Sequence, residues 1–290
     1  MFMRFKRSLY LIFLIIFGVA LCNEYFQYAN GQTHSRLPGY AGMFQKESNG
    51  VTVLTYHRIL KDSELNRVMR HVSSNDQLHE YNVTETEFKK QMDFLAQHHV
   101  NVISYDDMVA MKARGPIHGK YVVLTFDDVD RTMPENAANI LEQKQFPYTF
   151  YVVTGFVDKK IDGIRMANWA QLEKMAQSPL ATVGLHTDKL HYQIEGQPAL
   201  QSGKVSEKTM ASDYQHSQQV IQQHMGQHAK YFTYPYGATN KNLTTYMAEH
   251  GITSVSTLDP GIVNQGTDNL DIPRMLVNEK SWQNLANWLN

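Results

Sequence analysis

The sequence predicts an α/β fold built on a mainly parallel sheet, and two observations predict it. Short apolar runs alternate with amphipathic stretches about seven times from Val51 to the C-terminus, the rhythm of strand-helix units. Several of these runs also end in a polar residue of chemical use: His57, the pair Asp127-Asp128, His186 and the Tyr234-Pro235-Tyr236-Gly237 segment. Parallel α/β folds gather such residues on one face, at the C-terminal ends of their strands. Periodicity does not choose between an open sheet and a closed barrel.

In chain order, Val51 to Tyr56 reads as a buried strand. Thr84-Glu85-Thr86-Glu87 is a capping box that opens a helix to about His98, with Phe88, Met92 and Leu95 on one face. Asn101 to Ser104 (strand), a short helix to Arg114 and Tyr121 to Phe126 (strand) follow. A helix from about Pro134 to Lys144 leads to a strand at Tyr148 to Val153. Trp169 to Gln177 is expected helical, Ala181 to Leu185 extended, and Ser206 to Met225 a long helix. Tyr231 to Tyr234 (strand), a helix ending near His250-Gly251, and strands at Ile252 to Ser256 and Ile272 to Val277 continue the pattern, and a helix from Ser281 closes it. Leu60 to Val83 and Thr187 to Val205 are long enough to wall a site.

The 290 residues, 42% hydrophobic and 19% charged, suit one sizeable core better than two small ones. Residues 51–290 are therefore read as a single domain. The net charge of −1 and the lack of a basic stripe with interleaved aromatics exclude a nucleic-acid partner. Arg4, Lys6 and Arg7 precede an almost wholly apolar run from Leu9 to Cys22, so residues 1–23 are expected to be an export signal or membrane anchor. Residues 24–50 follow as an extracellular tether, and membrane contact is expected only through the N-terminal segment. Cys22 is the sole cysteine, which rules out an intramolecular disulfide and a cysteine-held zinc in the domain.

No Gly-x-Ser-x-Gly elbow, Walker loop, dinucleotide fingerprint or His-Glu-x-x-His helix is present. Each surviving motif has a bland reading of its own. The Asp pair serves equally as a turn or helix cap, His186 and His191 as solvated loop residues, Tyr-Pro-Tyr-Gly as a plain turn, and His57 as a satisfied half-buried histidine. Their convergence on one rim favours a site.

As a set, Thr125-Phe126-Asp127-Asp128, His186-Thr187 with His191, and Tyr234-Pro235-Tyr236-Gly237 resemble the leading motifs of the polysaccharide deacetylases, carbohydrate esterase family four. The likeness runs from about Val51 to the C-terminus. It implies a distorted (β/α)7 barrel, and one divalent metal ion (zinc, nickel or cobalt) held by Asp128, His186 and His191. Two features narrow it. The two histidines are five apart rather than the family's usual four, and the late Leu-x-His motif reads Leu276-Val277-Asn278, while an early Leu54-Thr55-Tyr56-His57-Arg58 is present. That combination is similar to the poly-β-1,6-N-acetylglucosamine deacetylase branch.

The resemblance implies Asp127 as the base, His57 as the acid that protonates the leaving amine, and the Tyr236 backbone N–H as an oxyanion donor. An N-acetylglucosamine polysaccharide would be the partner, met outside the cell. Arg274 is open to two readings, an ion-pair partner for Asp127 or a surface arginine. Tyr234 and Tyr192 are weaker candidates for substrate contact or for supporting the site from behind, Asp130 is an acidic wall or a helix cap, and Trp169 is more a helix-start packing residue than a sugar platform. Two alternatives stay open: the same chemistry on peptidoglycan or chitin-type β-1,4 chains, and a non-catalytic carbohydrate-binding barrel.

Overall fold

The computed structural model describes residues 40–62, 81–161 and 163–290. The expected export segment, Cys22 and much of the expected Leu60–Val83 wall lie outside the described residues. Among the described residues no helix is long and apolar enough to cross a membrane.

Eight strands form the main sheet: β1 (Gly50–Tyr56), β2 (Asn101–Val102), β3 (Lys120–Phe126), β4 (Tyr148–Val152), β5 (Ala181–Leu185), β6 (Tyr231–Thr233), β7 (Ser254–Ser256) and β8 (Met275–Leu276). Their order is β7-β6-β5-β4-β3-β1-β8, every pairing is parallel, and β2 lies beside the first half of β3. The two edges approach one another through the last strand segment. Ile272 bridges Ser256 of β7, while Met275 and Leu276 pair with Leu54 and Thr55 of β1. The sheet therefore curls into a distorted barrel.

Between the strands run α1 (Glu85–Gln97), α2 (Tyr105–Arg114), α3 (Ala138–Lys144), α4 (Trp169–Ala176), α5 (Glu207–Met225) and α6 (Lys241–Glu249), and α7 (Glu279–Leu289) follows the last strand. Their starts follow the local chemistry. The Thr84 hydroxyl accepts from the Glu87 N–H at 3.1 Å and the Glu87 carboxylate from the Thr84 N–H at 2.8 Å, the reciprocal cap expected of that sequence. Ser206 caps α5 at one end, and Gly226, in the left-handed region at φ 69°, ends it.

Several boundaries differ from expectation. The strand at Asn101 stops after Val102 because Ser104 turns to cap α2, accepting from the Asp107 N–H. The helix after the Asp pair opens as a wide π turn over Met133–Ala137, where Asn136 Nδ2 donates to the Ile59 carbonyl at 2.6 Å. The last strand is broken by Pro273, which has no N–H for the ladder, so only Met275 and Leu276 pair with β1. The tether boundary at residue 50 falls too late. Tyr40 and Met43 are buried in the core, and Phe44 packs on Trp288 with ring centroids 5.5 Å apart.

The main core lies between the outer face of the sheet and the helices. Tyr56, Phe88 and Phe126 pack ring on ring there, with centroids 5.2 to 6.0 Å apart. The barrel interior is more polar, with Thr55, Thr125, Thr149, Thr233, Ser254 and Ser256 all buried. Gly184 on β5 is a point of close approach, since a Cβ there would meet the Tyr151 ring at 2.4 Å and the Tyr231 carbonyl at 3.1 Å. Gly184→Ala is expected to push Tyr151 aside and cost about 1–3 kcal/mol. Thermal or urea unfolding checks this, and unchanged stability would mean that the interior yields freely.

Candidate metal centre and active site

The sequence-expected residues lie at the C-terminal ends of the parallel strands. His57 follows β1, Asp127 and Asp128 follow β3, His186 follows β5, and Tyr234 to Gly237 follow β6. Arg274 comes from the segment closing the barrel. Backbone in an unusual conformation marks the same rim: Asp128 (φ 63°), Val129 (φ 54°), Thr187 (φ 75°) and Tyr236 (φ 60°) are non-glycine residues in the left-handed region. Each costs on the order of 1–3 kcal/mol, and such strain concentrates at functional sites. At Asp128 and Val129 it turns the chain sharply just after the strand, and the Val129 N–H closes on the Asp127 carbonyl at 2.6 Å.

Asp128, His186 and His191 each offer one ligand atom, and these atoms lie within 4.8 Å of one another. Asp128 Oδ1 is 3.4 Å from His186 Nε2 and 3.0 Å from His191 Nε2. The protonation of His186 follows from its other nitrogen. Nδ1 sits 2.8 Å from the Thr233 carbonyl, which only accepts, so Nδ1 carries the hydrogen. The Thr233 hydroxyl lies 2.7 Å from the same nitrogen.

Burial pushes the His186 pKa down to about 4, against the opposing pull of Asp127 and Asp128, so at neutral pH the ring is uncharged. A neutral ring protonated on Nδ1 presents a lone pair on Nε2. That lone pair and the anionic Asp128 oxygen therefore share one small space, and a cation between them reconciles the two. For Asp128 itself burial raises the pKa, but His191 and then His186 outweigh it and hold the carboxyl well below its usual range. Two imidazoles and one carboxylate are a donor set that suits a divalent ion such as zinc.

The His186 environment has a consequence for the metal-free protein. Its folded pKa lies below the unfolded value of about 6.5, so between about pH 4 and 6.5 the unfolded chain binds more protons. The metal-free protein is expected to lose stability as pH falls through that window, by up to about 1.4 kcal/mol per pH unit from this group. Urea unfolding at pH 7.0, 5.5 and 4.5 measures it. A His186→Gln variant with the same pH slope as wild type would assign the loss to other groups.

Asp127 lies beside the triad and is only 2% exposed. Its main-chain N–H donates to the Tyr56 carbonyl at 2.9 Å. Of the two readings left open for Arg274, the structure has the ion pair. Nη1 donates to Asp127 Oδ1 at 2.8 Å and Nη2 to Oδ2 at 2.7 Å, a bidentate pair. The arginine is wholly buried, and Nε donates to the Thr257 carbonyl at 2.9 Å and Nη1 to Thr125 Oγ1 at 3.2 Å. Burial alone would raise the Asp127 pKa, but the Arg274 charge and hydrogen bonds, with His186 and His57, bring it below its ordinary value. His57 feels the opposite balance. Burial lowers its pKa, and Asp128 and Asp127 pull it back up. Its ring meets Tyr81 edge-on at 4.9 Å, and Nδ1 is buried with no hydrogen-bond partner among the described residues.

The weaker candidates divide. The Tyr236 ring is half-exposed and 4.9 Å from His191. Tyr192 is exposed, at the foot of a small hairpin (Gln193–Ile194 with Gln197–Pro198), and its carbonyl accepts from the Ala199 N–H at 2.9 Å. Tyr234 does not reach substrate and is left with its other reading, support from behind the site: its ring is buried against Phe232, and its hydroxyl donates to the Asn240 carbonyl at 2.8 Å. Of the two readings of Asp130 the structure has the cap, its carboxylate accepting at the start of the helical segment that begins at Thr132. It is buried, pairs with Arg58 Nε at 3.1 Å and accepts from the Thr132 N–H at 3.0 Å, tying the His57 segment to the turn after the Asp pair. Trp169 stacks flat on His224 at 3.7 Å, at the start of α4. Thr233, which sets the His186 tautomer, carries no signal of its own in the sequence beyond lying in the expected strand Tyr231 to Tyr234.

Comparisons with known proteins agree with this geometry. A profile of the polysaccharide deacetylase family matches residues 114–255. The poly-beta-1,6-N-acetyl-D-glucosamine N-deacetylase of Staphylococcus epidermidis is 27% identical over 242 residues, which cover 82% of this chain and 83% of that protein. The protein of the same name from Staphylococcus aureus is 26% identical over 240 residues, covering 82% of each. Among solved structures, IcaB from Ammonifex degensii superposes with a TM-score of 0.71 at 29% identity, over 83% of this chain and 97% of that one.

Proposed function

The chain is a polysaccharide N-deacetylase carrying the polysaccharide deacetylase domain, and from that premise we propose that it hydrolyses the N-acetyl groups of poly-β-1,6-N-acetyl-D-glucosamine using one divalent metal ion. The observation that carries the reading is the meeting of Asp128, His186 and His191 beside the Asp127–Arg274 pair. The names of the staphylococcal relatives support the polymer.

Asp128, His186 and His191 would hold the cation, which would supply Lewis acidity toward the acetyl carbonyl and make a water more acidic. Asp127 takes a proton from that water as its oxygen bonds to the acetyl carbon. The Arg274 pair keeps Asp127 ionised at neutral pH and fixes its orientation, at some loss of base strength. The Tyr236 main-chain N–H donates to the carbonyl oxygen as it gains negative charge, a contribution worth about 10²- to 10³-fold in rate for one donor. The carbon–nitrogen bond then breaks, His57 gives a proton to the leaving nitrogen, and the products are acetate and a free glucosamine amine. The exposed rings of Tyr192 and Tyr236 offer faces for sugar stacking.

Free amines are protonated near neutral pH, so the trimmed polymer gains positive charge and adheres to anionic cell surfaces, promoting retention and biofilm formation. The basic-then-apolar N-terminus supports export, with the enzyme acting outside the cell or anchored at its surface. Acetate release from β-1,6 and β-1,4 N-acetylglucosamine oligomers, each with and without a chelator, tests the reading. Chelator-sensitive release that is faster on the β-1,6 chain is expected. Equal or faster release from the β-1,4 chain would move the substrate to peptidoglycan or chitin-type polymers, and release indifferent to chelation would remove the metal.

A further inference from the structure

We propose that Asp213 on α5 is a positioning residue for the cation site, holding the loop between His186 and His191 in the shape that brings both imidazoles to Asp128. This rests on the metal reading above. Asp213 lies far along the chain from that loop, yet its carboxylate accepts from two consecutive loop N–H groups: Asp188 N–H to Oδ1 at 2.8 Å and Lys189 N–H to Oδ2 at 2.7 Å. Both are charge-assisted bonds, roughly twice as strong as neutral ones.

The loop needs such a hold. It spans residues 187–190 between the two ligands, and Thr187 within it sits at φ 75°, a conformation a β-branched residue does not choose unaided. Its other side rests on the turn after β4. There the Thr154 N–H donates to the Thr187 carbonyl at 3.1 Å, the Gly155 N–H to the Asp188 carbonyl at 3.0 Å, and the Thr154 hydroxyl to Asp188 Oδ1 at 2.8 Å. The Asp188 side chain also meets His216 Nδ1 at 3.0 Å. One clamp therefore grips the loop carbonyls and the other, Asp213, grips its N–H groups. Without the second, Thr187 is free to relax, and His191 moves with the chain away from Asp128 Oδ1, now 3.0 Å from its Nε2. The helix bearing Asp213 does not depend on it. α5 has caps at both ends and buries Met210, Tyr214 and Ile221.

The test uses the full chain and its Asp213→Ala and Asp213→Asn variants, with Zn²⁺ as probe in competition with a chromophoric chelator. Metal-free melting temperatures are measured alongside. Wild type is expected to bind Zn²⁺, Asp213→Ala about 10- to 100-fold more weakly, and Asp213→Asn, which keeps one acceptor oxygen, with a smaller loss. Deacetylation by both variants should recover as Zn²⁺ is raised. A purely structural role would lower the metal-free melting temperature and leave the Kd at the wild-type value. Wild-type Kd in the variants overturns the inference while leaving the metal reading intact, and Asp213→Asn decides alone if Asp213→Ala does not fold. A wild type that binds no Zn²⁺, nickel or cobalt overturns both.

Discussion

Replacing Asp127 with asparagine is expected to lower kcat/KM for deacetylation by about 10²- to 10⁴-fold, the range of a general base, while leaving metal affinity close to wild type. The two outcomes separate because Asp127 is not one of the three ligand residues. Asparagine has nearly the same shape and still offers Arg274 one acceptor oxygen, so the barrel interior around Thr125 and Thr257 should persist. What it cannot do is take a proton. Acetate release and bound metal measured on the same preparation check both halves. A variant with more than about a tenth of wild-type activity would exclude Asp127 as the base.

The second large effect concerns the other half of the pair. Arg274→Met is expected to destabilise the protein by about 3–5 kcal/mol, since it leaves Asp127, 2% exposed, without a countercharge. In wild type the lowered Asp127 pKa contributes stability that is present above the unfolded carboxyl pKa and lost as pH falls through the folded one. In Arg274→Met the sign reverses, because burial then dominates and Asp127 protonates at higher pH. The acid limb of the kcat/KM profile should therefore move upward by at least about one pH unit. The double variant Arg274→Met with Asp127→Asn should recover part of the lost stability, the mark of coupling between contacting groups. An unmoved acid limb, or strictly additive losses, would reduce Arg274 to a packing residue.

The alternation of apolar runs made the parallel sheet legible, and the residues at the run ends made its rim legible, because both depend on short-range patterns. Ala181–Leu185 and the Thr84–Glu87 cap follow directly from such patterns. The strand expected over Ile272 to Val277 was recognisable as apolar, but not its division between two sheet edges, which depends on Pro273 and on closure of the barrel. Arg274 is the sharper case. In sequence it is one arginine after a proline, and only the fold shows it buried inside the barrel and paired with Asp127. Tyr234 was open in sequence to substrate contact or a supporting role, and only the turn shows its ring pointing inward. Asp213 had no local signal at all, since a carboxylate within an amphipathic helix reads as a solvated one. Its partners are N–H groups 25 and 24 residues away.

The claim beneath the whole account is that Asp128, His186 and His191 hold a single cation that the chemistry requires. Equilibrium dialysis of the purified chain against a divalent metal, with acetate release assayed on the same samples, tests it most directly when repeated on His186→Ala. Wild type is expected to bind one equivalent of metal and be active, and the variant to lose both together. A His186→Ala protein that still binds a full equivalent, or that deacetylates at the wild-type rate without one, would contradict it.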